Sequence, residues 1–162
     1  MAKSKRKKPE NLSPRIANRR AFHDYTITDK LECGIQLLGS EVKSVRHGKV
    51  SLQEGYATVE PENNALWLKQ VDIAPYPQAG VDAHAPKRDR KLLAHKHEIQ
   101  RLAGATAGKG VTLVPLALYF QHGVVKVEIG VAHGKKAPDK RRDIKKKEMD
   151  REIQRAMTRK RL

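Results

Sequence analysis

Seven histidines and one cysteine are the side chains of this 162-residue sequence best suited to nucleophilic, acid–base or metal chemistry. Their spacing argues against all three. His95 and His97 stand two apart in a stretch of helical periodicity, so they point to different faces, whereas a shared metal asks for an i, i+4 pair. Cys33 has no second cysteine to chelate with, and no local signature joins it to a histidine as a nucleophile pair. His23, His47, His84, His122 and His133 are scattered; all seven read as polar groups at the surface or facing a nucleic acid. "GATAGKGVT" has the wrong spacing for a phosphate-binding loop and follows a helical stretch instead of a strand, so it reads as a helix-ending loop. No catalytic residue, metal or cofactor is expected.

The side chains that do recur are cations. In "NRRAFHDY", Asn18, Arg19, Arg20 and His23 interleave with Phe22 and Tyr25. Guanidinium groups grip phosphate and rings stack on exposed bases, although Phe22 and Tyr25 have an equal alternative as anchors in the core. "HAPKRDRKLL" places Lys87, Arg88, Arg90 and Lys91 at what the spacing predicts is a helix entry, either a phosphate site or a solvated helix start.

The third cationic stretch runs from Gly134 to Leu162. It holds thirteen Lys or Arg, among them Lys135, Lys136 and Lys145, against five acids. Lys147, Arg151, Arg155 and Arg159 recur every four residues, as do Met149, Ile153 and Met157, giving a basic ridge beside a narrow apolar stripe. Pairs such as Asp143 with Lys147, Glu148 with Arg151 and Glu152 with Arg155 each contribute about 0.2–0.5 kcal/mol. Those terms do not offset nucleation and mutual repulsion, which predicts a tail unfolded when free and helical against a polyanion.

Charge also outlines the domains. Residues 1–20 carry a net +7 and the tail +8, while the segment between is nearly neutral; the total is +16 and the pI about 10.1. Two basic arms on one neutral globule point to RNA or another polyphosphate, bound in a strongly salt-dependent way. No run of 18 apolar residues suggests a membrane span, the opening residues lack the apolar core of a secretory signal, and a single cysteine gives no reason for an oxidising compartment, so the expected location is cytoplasmic.

The elements that must position these residues are mostly strands. "LSPRIANRR" predicts a short helix capped by Ser13, "HDYTITDKLECGIQLL" a long strand with a bulge or close backbone approach at Gly34, and "GSEVKSVRHGK" a short helix capped by Ser40. "YATVE", "ALWLKQVDI", "VTLVPLALYF" and "VVKVEIGVA" add strands, with "PENN" and "QHG" as hairpin turns. "KRDRKLLAHKHEIQRLAG" reads as one helix ending on Gly104. About six strands and a helix between two groups predict a small antiparallel barrel of the OB type.

"NRRAFHDY", "LECGIQLLGSEVKSVRHGK", "PKRDRKLL", "VPLALYF", "VKVEIGVAHGKK" and "DKRRDIKKKEMDREI" together resemble the small protein B (SmpB) family of bacterial SsrA-binding proteins, nearly throughout from Asn18 onward. The resemblance implies a mainly β fold: a six-stranded antiparallel OB-like barrel at 18–133, a flexible basic arm at 1–17, and a basic tail at 134–162 that is disordered when free and helical on the ribosome. It implies binding to the tRNA-like domain of transfer-messenger RNA, contact with elongation factor Tu–GTP only through that RNA, and delivery to stalled ribosomes. The tail would occupy the decoding centre and empty mRNA channel of the small subunit. By motif, Asn18, Glu32 and Leu93 match RNA-binding positions, with Glu32 an acceptor for ribose or base edges. Asp139, Lys140 and Arg141 match a tail triplet linked to the ribosome; Pro138 replaces the His or aromatic residue usual before it. A structural ribosomal RNA-binding protein is the alternative. A nuclease would need a carboxylate cluster at metal spacing, which the sequence lacks.

Overall fold

The computed structural model describes residues 14–159. β1 (Ile16–Ala17) leads into α1 (Arg19–Asp24), then β2 (Tyr25–Ile35), α2 (Gly39–Arg46) and β3 (Val50–Ser51). The hairpin of β4 (Tyr56–Glu60) and β5 (Ala65–Lys69) precedes β6 (Asp72–Ile73), a 3₁₀ turn at Pro77–Asp82, β7 (Arg90–Leu93) and α3 (Lys96–Thr106). The chain ends with β8 (Val111–Gln121), β9 (Val124–Gly134) and α4 (Ala137–Arg159).

Strand order β8-β4-β5-β7-β2-β9 closes on itself because β9 pairs again with β8, giving a six-stranded antiparallel barrel with β1 hung on β8. Closure removes the sheet edges that would otherwise invite pairing with another chain. Inside lie Leu31, Cys33, Leu66, Leu68, Leu92, Leu113, Leu118, Val127 and Ile129, all buried. Alternation turns the intervening residues out of the barrel, where Val114, Leu116 and Ala132 are buried again in a second cluster with Ala21 of α1. His122 and Gly123, both at positive φ, make the two-residue turn between β8 and β9.

Several local expectations change. Ser13 lies outside the described residues; the first helix starts later, at Arg19, and is capped by Asn18. Of the two readings of Gly34, close approach holds, since it pairs with Leu93 and an added Cβ would meet the Leu93 Cβ at 3.2 Å; the bulge of β2 falls between Ile27 and Asp29. "RKLL" is strand, not helix, and α3 runs past Gly104 to Thr106. The apolar residues Leu92 and Leu93, about two helical turns before Ile99, imitate a helical period across what is a strand, a break and a helix. His95 caps that break, and its ring stacks on His97 at 5.6 Å.

The helical form expected of the tail is present as a continuous 23-residue helix. The barrel supplies its nucleus: β9 runs on into Lys135, whose N–H donates to the Asp24 carbonyl (3.0 Å) and whose Nζ donates to the Phe22 carbonyl (3.0 Å) and to Asp143 (2.7 Å). Lys140 donates to the Asp24 carboxylate at 2.9 Å. With the first turns fixed, only the cheaper propagation remains. Asp143 thus pairs backward with the half-held Lys135, not forward with Lys147. Met149, Ile153 and Met157 stay exposed.

Candidate RNA interface

Asn18 is the joint on which α1 turns. A bulge between Pro115 and Ala117 of β8, where proline has no N–H to give, frees the carbonyls of Pro115 and Leu116. Asn18 takes both, donating its backbone N–H to Leu116 (2.8 Å) and Nδ2 to Pro115 (3.0 Å), while Nδ2 also reaches the Leu52 carbonyl (3.0 Å) and Oδ1 accepts from Ala21 N–H (3.2 Å). Only 4% of Asn18 is exposed, so its side chain positions the helix and does not face a ligand.

What Asn18 presents is the outer face of α1. Arg19, Arg20 and His23 are exposed; Arg20 Nε donates to Asp24 at 3.2 Å and His23 Nδ1 lies 3.0 Å from the same carboxylate. Hydrogen bonds from Lys140, His23 and Arg20 hold the Asp24 carboxyl far below the usual carboxylate range. Tyr25 is half-buried against Val114, Leu116 and Ala132, which assigns it to the core; Phe22 is exposed under Lys30 Nζ, 5.5 Å from its ring centre.

Glu32 and Leu93, 61 positions apart in sequence, meet on the barrel's outer wall. They line one surface depression with Gly34, Ala94, His95, Glu98 and Lys126. Leu93 is 55% exposed, a large apolar side chain kept at the surface by strand alternation next to buried Leu92. Glu32 accepts a short hydrogen bond from the Tyr119 hydroxyl, and Lys126 Nζ stands 3.8 Å from its other oxygen. Burial of the phenol, with the carboxylate it donates to, pushes Tyr119 up to about 12. Glu128, directly across from Glu32, is neutralised by Arg15 (2.9 Å) and Lys30 (3.2 Å), while Arg15 also lies over the Tyr119 ring. The wall is therefore a fixed carboxylate acceptor, an apolar platform and a rim of cations.

The "PKRDRKLL" cations do not form the expected helix-entry site. Arg90 is fully buried: Nε donates to Glu41 (2.8 Å), Nη1 to the Val71 carbonyl (2.7 Å) and Nη2 to the Pro86 carbonyl (2.9 Å). Arg88 Nη2 donates to the other Glu41 oxygen at 2.7 Å, and Glu41 caps α2 by accepting from Leu38 N–H at 2.8 Å, the task expected of Ser40. Ser40 instead meets Nδ1 of buried His84, whose Nε2 reaches the Ile73 carbonyl. Lys87 pairs with Glu54 at 2.9 Å; Lys91 and Leu93 alone of this stretch face outward without a carboxylate among the described residues. A polar residue that must satisfy a buried partner looks the same in sequence as one that waits for a ligand.

Cys33 is 1% exposed, and burial, with the charge of Glu98, pushes its thiol up to about 12, so it packs as a small core residue and supplies no thiolate. In the tail, Lys136, Asp139, Arg141, Lys145, Lys147, Arg151 and Arg155 are exposed along α4, and Ile153 and Met157 lie among them. No helix among the described residues is long and apolar enough to cross a membrane.

Fold and surface together define a small OB-like β-barrel with a cation-rimmed wall and a basic helical arm. Its family can be stated more closely. The model of the family described as SmpB protein matches residues 15–159. SsrA-binding proteins of Lacticaseibacillus casei (strain BL23) and Levilactobacillus brevis are 50% and 52% identical over 157 and 158 residues, each spanning 97% of this chain and 98% of the relative. A solved structure described as "tmRNA-SmpB: a journey to the center of the bacterial ribosome" superposes with a TM-score of 0.66 at 48% identity, covering 77% of this chain and 87% of that one. The chain belongs to the SmpB protein family.

Proposed function

We propose that this protein binds the tRNA-like domain of transfer-messenger RNA through the barrel wall and α1, and carries it to stalled ribosomes. There α4 enters the vacant mRNA channel of the small subunit and reaches the decoding centre. The names and setting of its relatives support this reading, and one observation carries it: Glu32 and Leu93 share an exposed depression rimmed by Lys126 and His95. An exposed leucine beside an oriented carboxylate suits an unstacked base and its ribose, which RNA offers in loops. Arg19, Arg20 and His23 add phosphate contacts, whereas Asn18 and Arg90 act by holding α1 and the barrel end in place. Elongation factor Tu–GTP is engaged through the RNA alone.

The tail suits a separate role. Its ridge of Lys147, Arg151 and Arg155 repeats at helical spacing, as a path lined by phosphates would require. The test is a titration of the tRNA-like fragment against wild type, Glu32→Ala and Leu93→Ala, with ordinary transfer RNA as competitor. Selective binding that both substitutions weaken supports the reading; equal affinity for the competitor, unmoved by either substitution, refutes it.

A further inference from the structure

One cationic surface has no place in that assignment. Lys43, Arg46 and Lys49, with His47, are exposed on and just after α2. Among the described residues none of the three cations forms an ion pair, whereas Arg15, Arg20, Lys30, Lys69, Lys87, Arg101, Lys126, Lys135 and Lys140 all do. The nearest carboxylate on the helix, Glu41, is spent internally on Arg88 and Arg90.

Two of these cations, Lys43 and Arg46, are held over rings. Lys43 Nζ lies 5.1 Å from the centre of the Tyr76 ring, and the His47 ring is nearly parallel to Tyr76 at 6.1 Å and 12°. Arg46 lies 5.5 Å from the Phe120 ring. Alternation along β8 turns Tyr119 outward to Glu32 and its neighbour Phe120 inward to the barrel mouth, so the α2 surface shares no residue with the Glu32 depression. Cation–aromatic contacts fix long side chains that would otherwise lose rotamer freedom on binding. Fixed, unneutralised cations beside a layered His–Tyr pair are what a segment of single-stranded RNA requires, phosphates on the cations and a base on the rings.

We propose that α2, with Tyr76, is a second RNA-binding surface, which takes a single-stranded segment independently of the Glu32 depression. It rests on the preceding reading only in that the ligand is RNA. The recognition is by charge and stacking, so it is tolerant of sequence.

The experiment uses the full chain and a 12-nucleotide oligouridine carrying 4-thiouridine, titrated across a salt series. Lys43→Ala/Arg46→Ala removes two exposed contacts and lowers the slope of log K against log salt by about 1.4. Tyr76→Ala weakens binding by about 5- to 150-fold, the range for loss of one stacked base. Photocrosslinks map to His47 or Tyr76, and they persist in Glu32→Ala. Inorganic polyphosphate, which has no bases, must respond to Lys43→Ala/Arg46→Ala and much less to Tyr76→Ala, which there releases only Lys43. Unchanged slopes and affinities in the α2 variants, with crosslinks confined to the two basic arms, overturn the proposal. The Glu32→Ala titration with the tRNA-like fragment fails or succeeds separately.

Discussion

Arg90→Leu separates a structural cation from a ligand-binding one. In the wild type the Arg90 guanidinium meets three acceptors inside the barrel end, and Glu41 collects Arg90, Arg88 and the Leu38 N–H. Removing Arg90 leaves Glu41 to Arg88, whose side chain is 36% exposed, and strands the Val71 and Pro86 carbonyls. Breaking a buried pair from one side costs about 3–5 kcal/mol, which for a barrel of this size lowers Tm by roughly 10–20 °C. Replacing both members, Glu41→Leu with Arg90→Leu, removes the orphaned charge, so the double variant loses less than the sum of the singles. Thermal unfolding by circular dichroism gives all four corners of the cycle. RNA affinity, measured well below each variant's Tm, stays within a few-fold of wild type. A variant that keeps its Tm and loses RNA affinity would refute the structural role.

The same triad sets an acid limit. Burial works against the Glu41 charge, but donation by Arg88 and Leu38 and the charge of Arg90 outweigh it, and the carboxyl lies below its usual 4.5. Burial also opposes the Arg90 charge, yet a guanidinium keeps its proton at any pH where the protein folds. Because Glu41 is depressed in the folded state, its contribution is full above pH 4.5 and is lost as pH falls through its folded value. Acid titration of wild type followed by fluorescence of Trp67 should show a loss of stability below that pH that Glu41→Gln lacks. Asp24→Asn removes the negative charge, and one of the two oxygens, that Lys140, Arg20 and His23 share; the expected result is faster amide exchange at residues 139–143 with barrel exchange unchanged. Tyr119→Phe frees the Glu32 oxygen it occupies and should lower affinity for the tRNA-like fragment by a smaller factor than Glu32→Ala, which costs about 5- to 150-fold.

The barrel was legible because its signal is additive: alternation in "VVKVEIGVA", turn residues in "PENN" and "QHG", and a charge balance that isolates the neutral middle all point the same way. Single polar residues were not. Arg90 and Lys91 are neighbours of like charge, and only the register Leu68↔Arg90, Trp67↔Lys91 sends one inward and the other out. Asn18 looks like a ligand-binding amide until the bulge at Pro115 shows which carbonyls it serves. Conversely, the α2 cations carry no signal of their own in a stretch that reads as a short helix capped by Ser40; three cations without a neighbouring free acid emerge only once Glu41 is seen to be occupied. The tail helix needed knowledge of its root, since Lys135 and Lys140 find Phe22 and Asp24 more than a hundred residues away.

The division of labour between barrel and tail is tested most directly by titrating the tRNA-like fragment against the full chain and a chain ending at Lys136, which keeps β9 and its bonds to α1. The salt series is run on both, alongside a ribosome-rescue assay. Similar affinity and salt slope with rescue abolished is the predicted outcome. A truncation that collapses affinity and slope together would place the phosphate contacts in the tail and contradict the assignment of RNA recognition to the barrel.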